Sequence, residues 1–501
     1  MDRHMILYRG SLKSCNYHCS YCPFSKRPMS ARELENDRIQ WFSFVQSLQE
    51  KAEKMRIGAL MVVPYGEAMI HPWYWEGLAQ LSACAKMDAV GIQTNLSFGV
   101  REFADCFART GGAFAKLRLW ATFHPEMTSV SDFAAKCRQL QEQGIQLCAG
   151  SVGVPQNLSL LRQLKQQLDG IYLWVNKMDG LRRAYTQEER EAFLEIDPYF
   201  ERELMLLPAN AALCQGRLFV EADGKLHTCN ISAVLRQTSW RDTIDSFPSP
   251  ECSRKQCSCY LAYGGRADFM NQILFGPYPL FRIPRRPKAV FLDIEGTLLP
   301  SAAGDRVSDG VMEGLNALAR EGVLLFFATT LPYEKAMERC RRIRHLFAGG
   351  IFAGGAHLVL ENGGDLREFF YEIDDSWVTA LSVLEKKFAF RLLAYRSQGK
   401  LYKVTLLRPR HNPWDRQQTE TVMDCLSLDM AAIRYFTEKN CLQIVSRDAD
   451  KRGGVEELCN WLGISPKETA AAGDSGEDEG MLVLTNSVTL DDDMLNRGAG
   501  R

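Results

Sequence analysis

Three cysteines near the start of the chain, Cys15, Cys19 and Cys22, are spaced C-x-x-x-C-x-x-C with no fourth cysteine close by. Three thiolates can hold three irons of a [4Fe–4S] cluster and leave the fourth iron open to another ligand. A structural zinc ion would want four ligands, and His18 is the side chain that could supply the last. Five further cysteines, Cys214, Cys229, Cys252, Cys257 and Cys259, crowd a second stretch. There the step Asp223-Gly224, between the β-prone runs Leu218–Glu221 and Leu226–Cys229, predicts a hairpin. Residue 229 would then face about residue 218, which brings Cys214 toward Cys229 at one open end. With Cys252, Cys257 and Cys259 a four-thiolate site becomes possible, and spacing alone does not separate iron–sulfur from zinc. A third set is acidic. Asp293-Ile294-Glu295-Gly296-Thr297 closes one apolar run and Asp474-Ser475-Gly476-Glu477-Asp478 closes another. A carboxylate at a strand end is placed for nucleophilic attack on phosphorus and for holding a metal.

These groups need elements to position them. Short apolar runs at Met5–Tyr8, Ala59–Val63, Val90–Thr94, Leu117–Phe123, Ile145–Ala149 and Ile171–Val175 alternate with longer amphipathic stretches. The pattern predicts six β-α units around a parallel sheet, a partial (β/α)6 TIM-like barrel over residues 1–205. Loops after the strands build the active site in such folds, and Cys15, Tyr65-Gly66-Glu67, Asn95, His124 and Asn176 all follow strand-like runs. A small Cys-rich extension occupies 206–272, and Phe275–Pro287 is rich in Pro and Arg, so 273–287 is expected to be an extended linker with solvated arginines. A second α/β series, doubly wound by pattern, opens at Lys288–Leu292 and continues at Val323–Ala328, Leu442–Val445, Thr469–Ala472 and Ser487–Leu490.

At about 150 residues per domain, the 501 residues point to three to four domains. With 46% hydrophobic and 24% charged residues, large cores can form and a disordered or collagen-like chain is excluded. Lys plus Arg is 60 and Asp plus Glu is 61, so nothing global supports nucleic-acid or membrane-surface binding. No apolar run approaches the ~20 residues that span a bilayer, and Met1–Gly10 lacks a signal-peptide stretch, so a cytoplasmic chain is expected. In a reducing compartment its 16 cysteines are better explained by metal or cluster ligation than by disulfides.

With Tyr21 just before its last cysteine, the first triplet resembles the signature of the radical S-adenosylmethionine (SAM) superfamily over about residues 5–200. The resemblance implies a SAM-binding [4Fe–4S] cluster on Cys15, Cys19 and Cys22. The methionine part of SAM would chelate the open iron, and reduction would give a 5′-deoxyadenosyl radical that abstracts a substrate hydrogen. It also implies an electron donor such as flavodoxin or ferredoxin. The family's Gly-Gly-Glu motif reads Tyr65-Gly66-Glu67 here, with the first glycine replaced, and Gly66 and Glu67 would face the methionine amine. Asn95 and Ser97 look like the polar residues such enzymes aim at SAM, or else are turn formers. His124, together with Tyr172–Asn176 and Tyr185–Glu189, resembles a little-characterised bacterial subgroup. The Cys-x9-Gly-x4-Cys spacing at Cys214, Gly224 and Cys229 resembles the auxiliary-cluster extension called SPASM, or its shorter twitch form. Five cysteines allow one auxiliary [4Fe–4S] cluster.

The acidic set, with Thr329 and Lys451, resembles the haloacid dehalogenase superfamily of phosphatases over roughly 288–501. By that resemblance Asp293 is the nucleophile and Glu295 the general acid and base, while Thr329 and Lys451 bind phosphoryl oxygens. Asp293, the backbone carbonyl of Glu295 and Asp474 would hold Mg²⁺, with Asp478 supporting them. Glu295 replaces the usual Asp, as in the enolase-phosphatases, and Glu477 stands where Asn is common, adding negative charge near the metal. The long insertion, at about 335–440 and including the strand-like Leu401–Leu407, resembles an α+β cap that closes over small molecules. Trp377, Tyr395 and Arg408 within it fit core and surface roles better than substrate contact.

The expectation is a bifunctional enzyme: radical chemistry on an unidentified substrate, joined to Mg²⁺-dependent phosphate monoester hydrolysis. One alternative is a peptide-modifying radical enzyme whose second domain binds or regulates. The other is a zinc-stabilised scaffold without catalysis.

Overall fold

The computed structural model describes residues 4–22, 27–205, 207–208, 216–230, 235–241, 252, 255–257, 269–299, 306–485 and 488–489. The chain divides into two compact units, Met1–Arg285 and Arg286–Ala499.

In the first unit six strands, β1 (His4–Gly10), β2 (Ile57–Val62), β3 (Ala89–Thr94), β4 (Leu117–Thr122), β5 (Gln146–Val152) and β6 (Leu173–Asn176), pair in parallel in chain order. A helix follows each: Ala31–Lys51, Pro72–Ala83, Val100–Arg109, Val130–Glu142, Leu158–Gln167 and Gln187–Ile196. Parallel strands need crossover connections of this length, and their residues are buried on both faces, which is why they read as continuous apolar runs. One face packs Ile6 and Tyr8 with the helix residues Trp41, Phe44 and Leu48 in a single hydrophobic cluster. Each such side chain, fully buried, contributes roughly 1.5–3 kcal/mol.

The opposite face is covered by a segment that begins at the end of the expected Cys-rich extension and runs into the expected linker. Helix Phe269–Phe275 is buried throughout, and Pro279–Phe281 forms a short helical turn whose Phe281 carbonyl accepts from Cys148 Sγ of β5 at 3.3 Å. Arg282 is 1% exposed, pairs with buried Glu203 at 3.1 Å and lies over the rings of Trp120 and Trp174. The expectation of solvated arginines is therefore corrected at Arg282 alone. The apolar content of Phe269–Phe281 fills the sheet's bare face and carries Arg282 in with it, while Arg285 and Arg286 stay exposed.

The Cys-rich extension is joined to the main sheet. Strands Arg217–Glu221 and Lys225–His227 form the expected hairpin, but the first pairs in parallel with β1, so the extension continues the main sheet. With Leu235–Ser239 added, the sheet has nine strands and β1 is internal. The register pairs Phe219 with His227 and Val220 with Leu226, one residue from the predicted alignment of 229 with 218. Cys214 and Cys259 lie outside the described residues.

In the second unit a seven-stranded sheet runs Asp365–Phe370, His357–Asn362, Gly349–Phe352, Leu324–Ala328, Ala289–Leu292, Thr469–Gly473, Val488–Thr489. Its five parallel strands follow the order third, second, first, fourth, fifth, a Rossmann-like double winding. A separate antiparallel sheet, Arg391–Ser397, Lys400–Leu407, Cys441–Ser446 and Ile433–Glu438, forms the cap with helices Ser376–Ser382 and Arg416–Asp424. The predicted cap range of 335–440 is thus corrected at both ends. Gly349–Phe370 belongs to the core sheet, and the strand predicted at Leu442–Val445 lies in the cap, where Leu442 and Ile444 bury against Trp377 and Val404. Trp377 and Arg408 are 3% and 5% exposed, with Arg408 donating to the Phe388 carbonyl at 2.8 Å, which are the core roles expected. Among the described residues no helix is long and apolar enough to cross a membrane.

Candidate functional sites

The C-terminal ends of β1 to β6 and the loops that follow most of them meet at a cavity of about 200 Å³. Cys15, Cys19, Cys22 and Tyr21 line it together with Gly66, Glu67, Asn95 and His124. Gly66 fixes the cysteine loop. A Cβ there would lie 1.9 Å from the Ser14 carbonyl oxygen, which accepts from the Glu67 N–H at 3.0 Å. Only glycine allows that approach.

Glu67 is no solvated loop carboxylate. It is 3% exposed and accepts from Met69 N at 3.0 Å, Thr94 Oγ1 at 2.8 Å and Asn95 N at 2.6 Å. Burial pushes its carboxyl up to about 7, and the three donors pull the other way. Asn95 Nδ2 donates to Asn16 Oδ1 at 3.2 Å and lies 3.9 Å from Cys15 Sγ. Ser97 is not among the residues lining the cavity. Its hydroxyl donates to Asn16 Oδ1 at 3.1 Å, so it steadies the cysteine loop. Tyr21 OH meets His124 Nδ1 at 3.0 Å, and the Glu126 carboxylate accepts from Ser20 N at 2.7 Å, tying the loop to the end of β4.

Sequence reading passed over Trp120 and Gln93, which line the cavity. Inward alternation along β3 and β4 was the available signal, since Gln93 and Trp120 sit directly opposite in register.

In the second unit Asp293 leaves strand Ala289–Leu292 and its N–H donates to the Ala472 carbonyl at 3.0 Å, binding two adjacent strand ends. These are the strands where the winding reverses, the place such sheets bind ligands. Asp293, Asp474 and Asp478 have carboxylate oxygens within 4.8 Å of one another, the one such metal-ligating group among the described residues.

Lys451 opens helix Lys451–Leu462, capped by Asp450. Its Nζ donates to Asp293 Oδ1 at 2.8 Å and Asp478 Oδ1 at 2.5 Å. Burial, with Asp478 nearby, pushes Asp293 up to about 7 against the pull of Lys451. Burial pulls Lys451 down, but Asp293 and Asp478 outweigh it and the ammonium form is favoured. Gly296 has φ +91°, and a Cβ on it would lie 2.0 Å from Asp474 Oδ2, so glycine is required beside that carboxylate. Thr297 Oγ1 donates to Asp474 Oδ1 at 3.1 Å. Ser475 donates to Asp478 Oδ2 from N at 2.9 Å and Oγ at 2.6 Å. Thr329 is buried, its Oγ1 accepting from Leu331 N at 3.1 Å. Glu295 is partly exposed, and its Oε1 lies 3.5 Å from Nζ of Lys439 on the cap. Arg434 and Lys439 were not anticipated, since nothing local in sequence marks a cap residue that reaches the core. Three carboxylates facing one ammonium leave an excess of negative charge, and an all-oxygen donor set of this kind suits a hard divalent cation such as Mg²⁺.

No curated protein matches the chain. Among solved structures it is similar to a haloacid dehalogenase subclass IIB sugar phosphatase at 19% identity, covering 42% of this chain and 90% of that one, with a TM-score of 0.35. It is similar also to haloacid dehalogenase-like hydrolases from Bacteroides thetaiotaomicron and B. subtilis, each at 16% identity, 42% and 92% coverage and a TM-score of 0.34. The haloacid dehalogenase-like hydrolase family matches residues 370–492, a span that includes Lys451, Asp474 and Asp478. The C-terminal unit therefore contains a haloacid dehalogenase-like hydrolase domain.

Proposed function

We propose that the chain is a bifunctional enzyme whose C-terminal unit hydrolyses phosphate monoesters. The observation that carries this is the meeting of Asp293, Asp474 and Asp478 within 4.8 Å, with Lys451 bonded to two of them, at the reversal of the parallel sheet. Asp293, Asp474 and the backbone carbonyl of Glu295 would hold Mg²⁺, with Asp478 in support, and the ion would supply charge neutralisation for the phosphoryl oxygens. Asp293 attacks phosphorus as the ester P–O bond breaks, and Glu295 gives its proton to the departing alcohol. Glu295 then takes a proton from water, which attacks the aspartyl phosphate and releases inorganic phosphate. Lys451 and Thr329 hold phosphoryl oxygens during both displacements. Lys451, paired with Asp293 beforehand, keeps the nucleophile in place without further reorganisation.

For the N-terminal unit the reading is a partial (β/α)6 barrel doing radical SAM chemistry on a small molecule or peptide. It is favoured by the cavity that gathers Cys15, Cys19, Cys22, Gly66, Glu67 and Asn95. Cys15, Cys19 and Cys22 would hold a [4Fe–4S] cluster, which with SAM supplies one-electron chemistry for hydrogen abstraction. Glu67, already anchored by three donors, would fix the wall against which the methionine amine rests. Cys229, Cys252 and Cys257, with Cys214 or Cys259, would hold an auxiliary cluster. The electron donor would be a flavodoxin or ferredoxin.

Two assays on anaerobically purified protein test the halves separately. Mg²⁺-dependent hydrolysis of p-nitrophenyl phosphate, lost in Asp293→Asn, tests the first. Iron and sulfide content with dithionite-dependent release of 5′-deoxyadenosine, lost when the three cysteines are changed to alanine, tests the second. Zinc as the sole metal with neither activity would leave a scaffold.

A further inference from the structure

Beside the carboxylate site lies a cavity of about 670 Å³, with Glu295 and Leu331 in its wall. Its other side chains are Arg306, Lys335, Arg339, Arg341, Arg342 and Glu338, so five cationic groups face two carboxylates. The chain as a whole balances 60 basic against 61 acidic residues, so this concentration is local. Lys335 and Arg339 stand one turn apart on helix Tyr333–Arg339, and Arg341 and Arg342 follow its end. Basic residues at a helix C-terminus are ordinarily a solvated face favoured by the dipole. Here they line a concavity, and Arg306 joins them from ahead of helix Asp309–Arg320. A neighbouring cavity of about 220 Å³ shares Arg306, Arg339 and Arg342 and adds Asp309, whose Oδ1 lies 3.6 Å from Arg306 Nη2, so the basic concentration belongs to the first cavity. At the rim, Lys335 Nζ donates to Tyr395 OH of the cap at 3.0 Å.

We propose that the phosphate ester processed at Asp293 carries a second phosphate, received by the Arg306, Arg339, Arg341 and Arg342 cleft while its scissile phosphate meets Asp293 and Glu295. The proposal rests on the phosphatase reading and names its substrate class. Glu295 is the link: it is the general acid and base of the phosphatase reading and it also lines the cleft, two residues along the chain from Asp293. The volume is that of a small-molecule site. Guanidinium forks pair bidentately with phosphate, and several together retain a dianion where water competes.

The test compares fructose 1,6-bisphosphate with fructose 6-phosphate and p-nitrophenyl phosphate on the full chain with Mg²⁺. The variant is Arg341→Ala/Arg342→Ala, with Arg306→Ala as a second and thermal unfolding as the check on folding. Both arginines of the first variant are exposed, so the fold should tolerate it. The expected result is a kcat/KM for the bisphosphate about tenfold above that for the monophosphate. The variants should raise KM for the bisphosphate by a similar factor and leave p-nitrophenyl phosphate within about twofold. Titration calorimetry in EDTA, without turnover, should find bisphosphate binding that weakens with salt and in the variants. No preference for the bisphosphate, an equal loss on both substrates, or tighter binding of a short RNA would overturn the proposal. If nothing is hydrolysed but the bisphosphate binds and the variants weaken it, the phosphatase reading fails and the cleft stands. If calorimetry finds no binding either, the cleft falls as well.

Discussion

Arg434, on cap strand Ile433–Glu438, donates from Nη1 to Glu477 Oε2 at 2.7 Å, so the residue that departs from the common Asn is matched by a cation from the cap. The extra negative charge beside the metal ligands is thereby answered within the chain. Arg434 also donates to the carbonyls of Gly354 and Ala449, which makes it a three-way clasp between cap and core. The ion pair alone, with side chains 24% and 27% exposed, is worth about 0.2–1 kcal/mol. Arg434→Ala strands two carbonyls besides and should cost about 1–3 kcal/mol, while Glu477→Asn should cost under ~1 kcal/mol. Urea unfolding of the two variants checks the order. Equal losses would mean that the carbonyl contacts contribute nothing.

Gly66→Ala tests whether the second loop shapes the cysteine loop. Its Cβ would sit 1.9 Å from a backbone oxygen of Ser14, next to Cys15, and backbone cannot rotate away as a side chain can. Overpacking of this kind costs about 1–3 kcal/mol, here by displacing the loop. The expected outcome is a lower iron content after anaerobic reconstitution, with little change in phosphatase activity. Full iron loading would remove Gly66 from the account.

How far the fold was legible depended on whether a segment's partners were near in sequence. β1 to β6 announced themselves because each is a short apolar run followed by its own helix, and all six lie within a few residues of the predicted ranges. The places of Asp293, Asp474, Gly66 and Thr329 just after strands were legible because each apolar run marks its own end. Arg434 and Lys439 were not, since they act from a cap sheet more than a hundred residues from Asp293 in sequence, and an Arg or Lys on a hairpin looks the same whether it faces solvent or a carboxylate. The segment 273–287, read as a linker, misled for a related reason in its first half, as far as Arg282. Pro279 and Pro284 and the arginines gave it a linker's composition, and only the bare inner face of the sheet, a tertiary fact, explains why it is buried.

Arg282 gives that correction a direct test. A linker arginine changed to alanine costs within about 0.5 kcal/mol. Arg282→Ala instead leaves Glu203 buried without its cation, for which the expected loss is about 3–5 kcal/mol. Arg286→Ala, at an exposed position, serves as the control. Denaturant unfolding followed by tryptophan fluorescence reads the change near Trp120 and Trp174. A loss no larger than that of the control would return the segment to linker status.

The carboxylate site makes a prediction with a definite sign in pH. Asp293 is pushed up to about 7 from an ordinary value near 3.8, chiefly by burial. A carboxyl that binds its proton more tightly folded than unfolded stabilises the fold at low pH and loses that contribution as pH rises from about 4 to 7. In EDTA the C-terminal unit should therefore melt at a lower temperature at pH 8 than at pH 5. Mg²⁺ binds the ionised carboxylates, so its affinity and its stabilising effect should grow over the same interval. At about a hundredfold excess over its Kd the ion adds roughly 2.7 kcal/mol at pH 8, and less at pH 5 where it must displace a proton. Asp293→Asn removes the titrating group and should flatten the EDTA melting profile across this range. Differential scanning calorimetry with and without Mg²⁺ supplies both readings. A magnesium shift equal at the two pH values, or an unchanged slope in Asp293→Asn, would mean that Asp293 is ionised throughout and that Lys451 outweighs its burial.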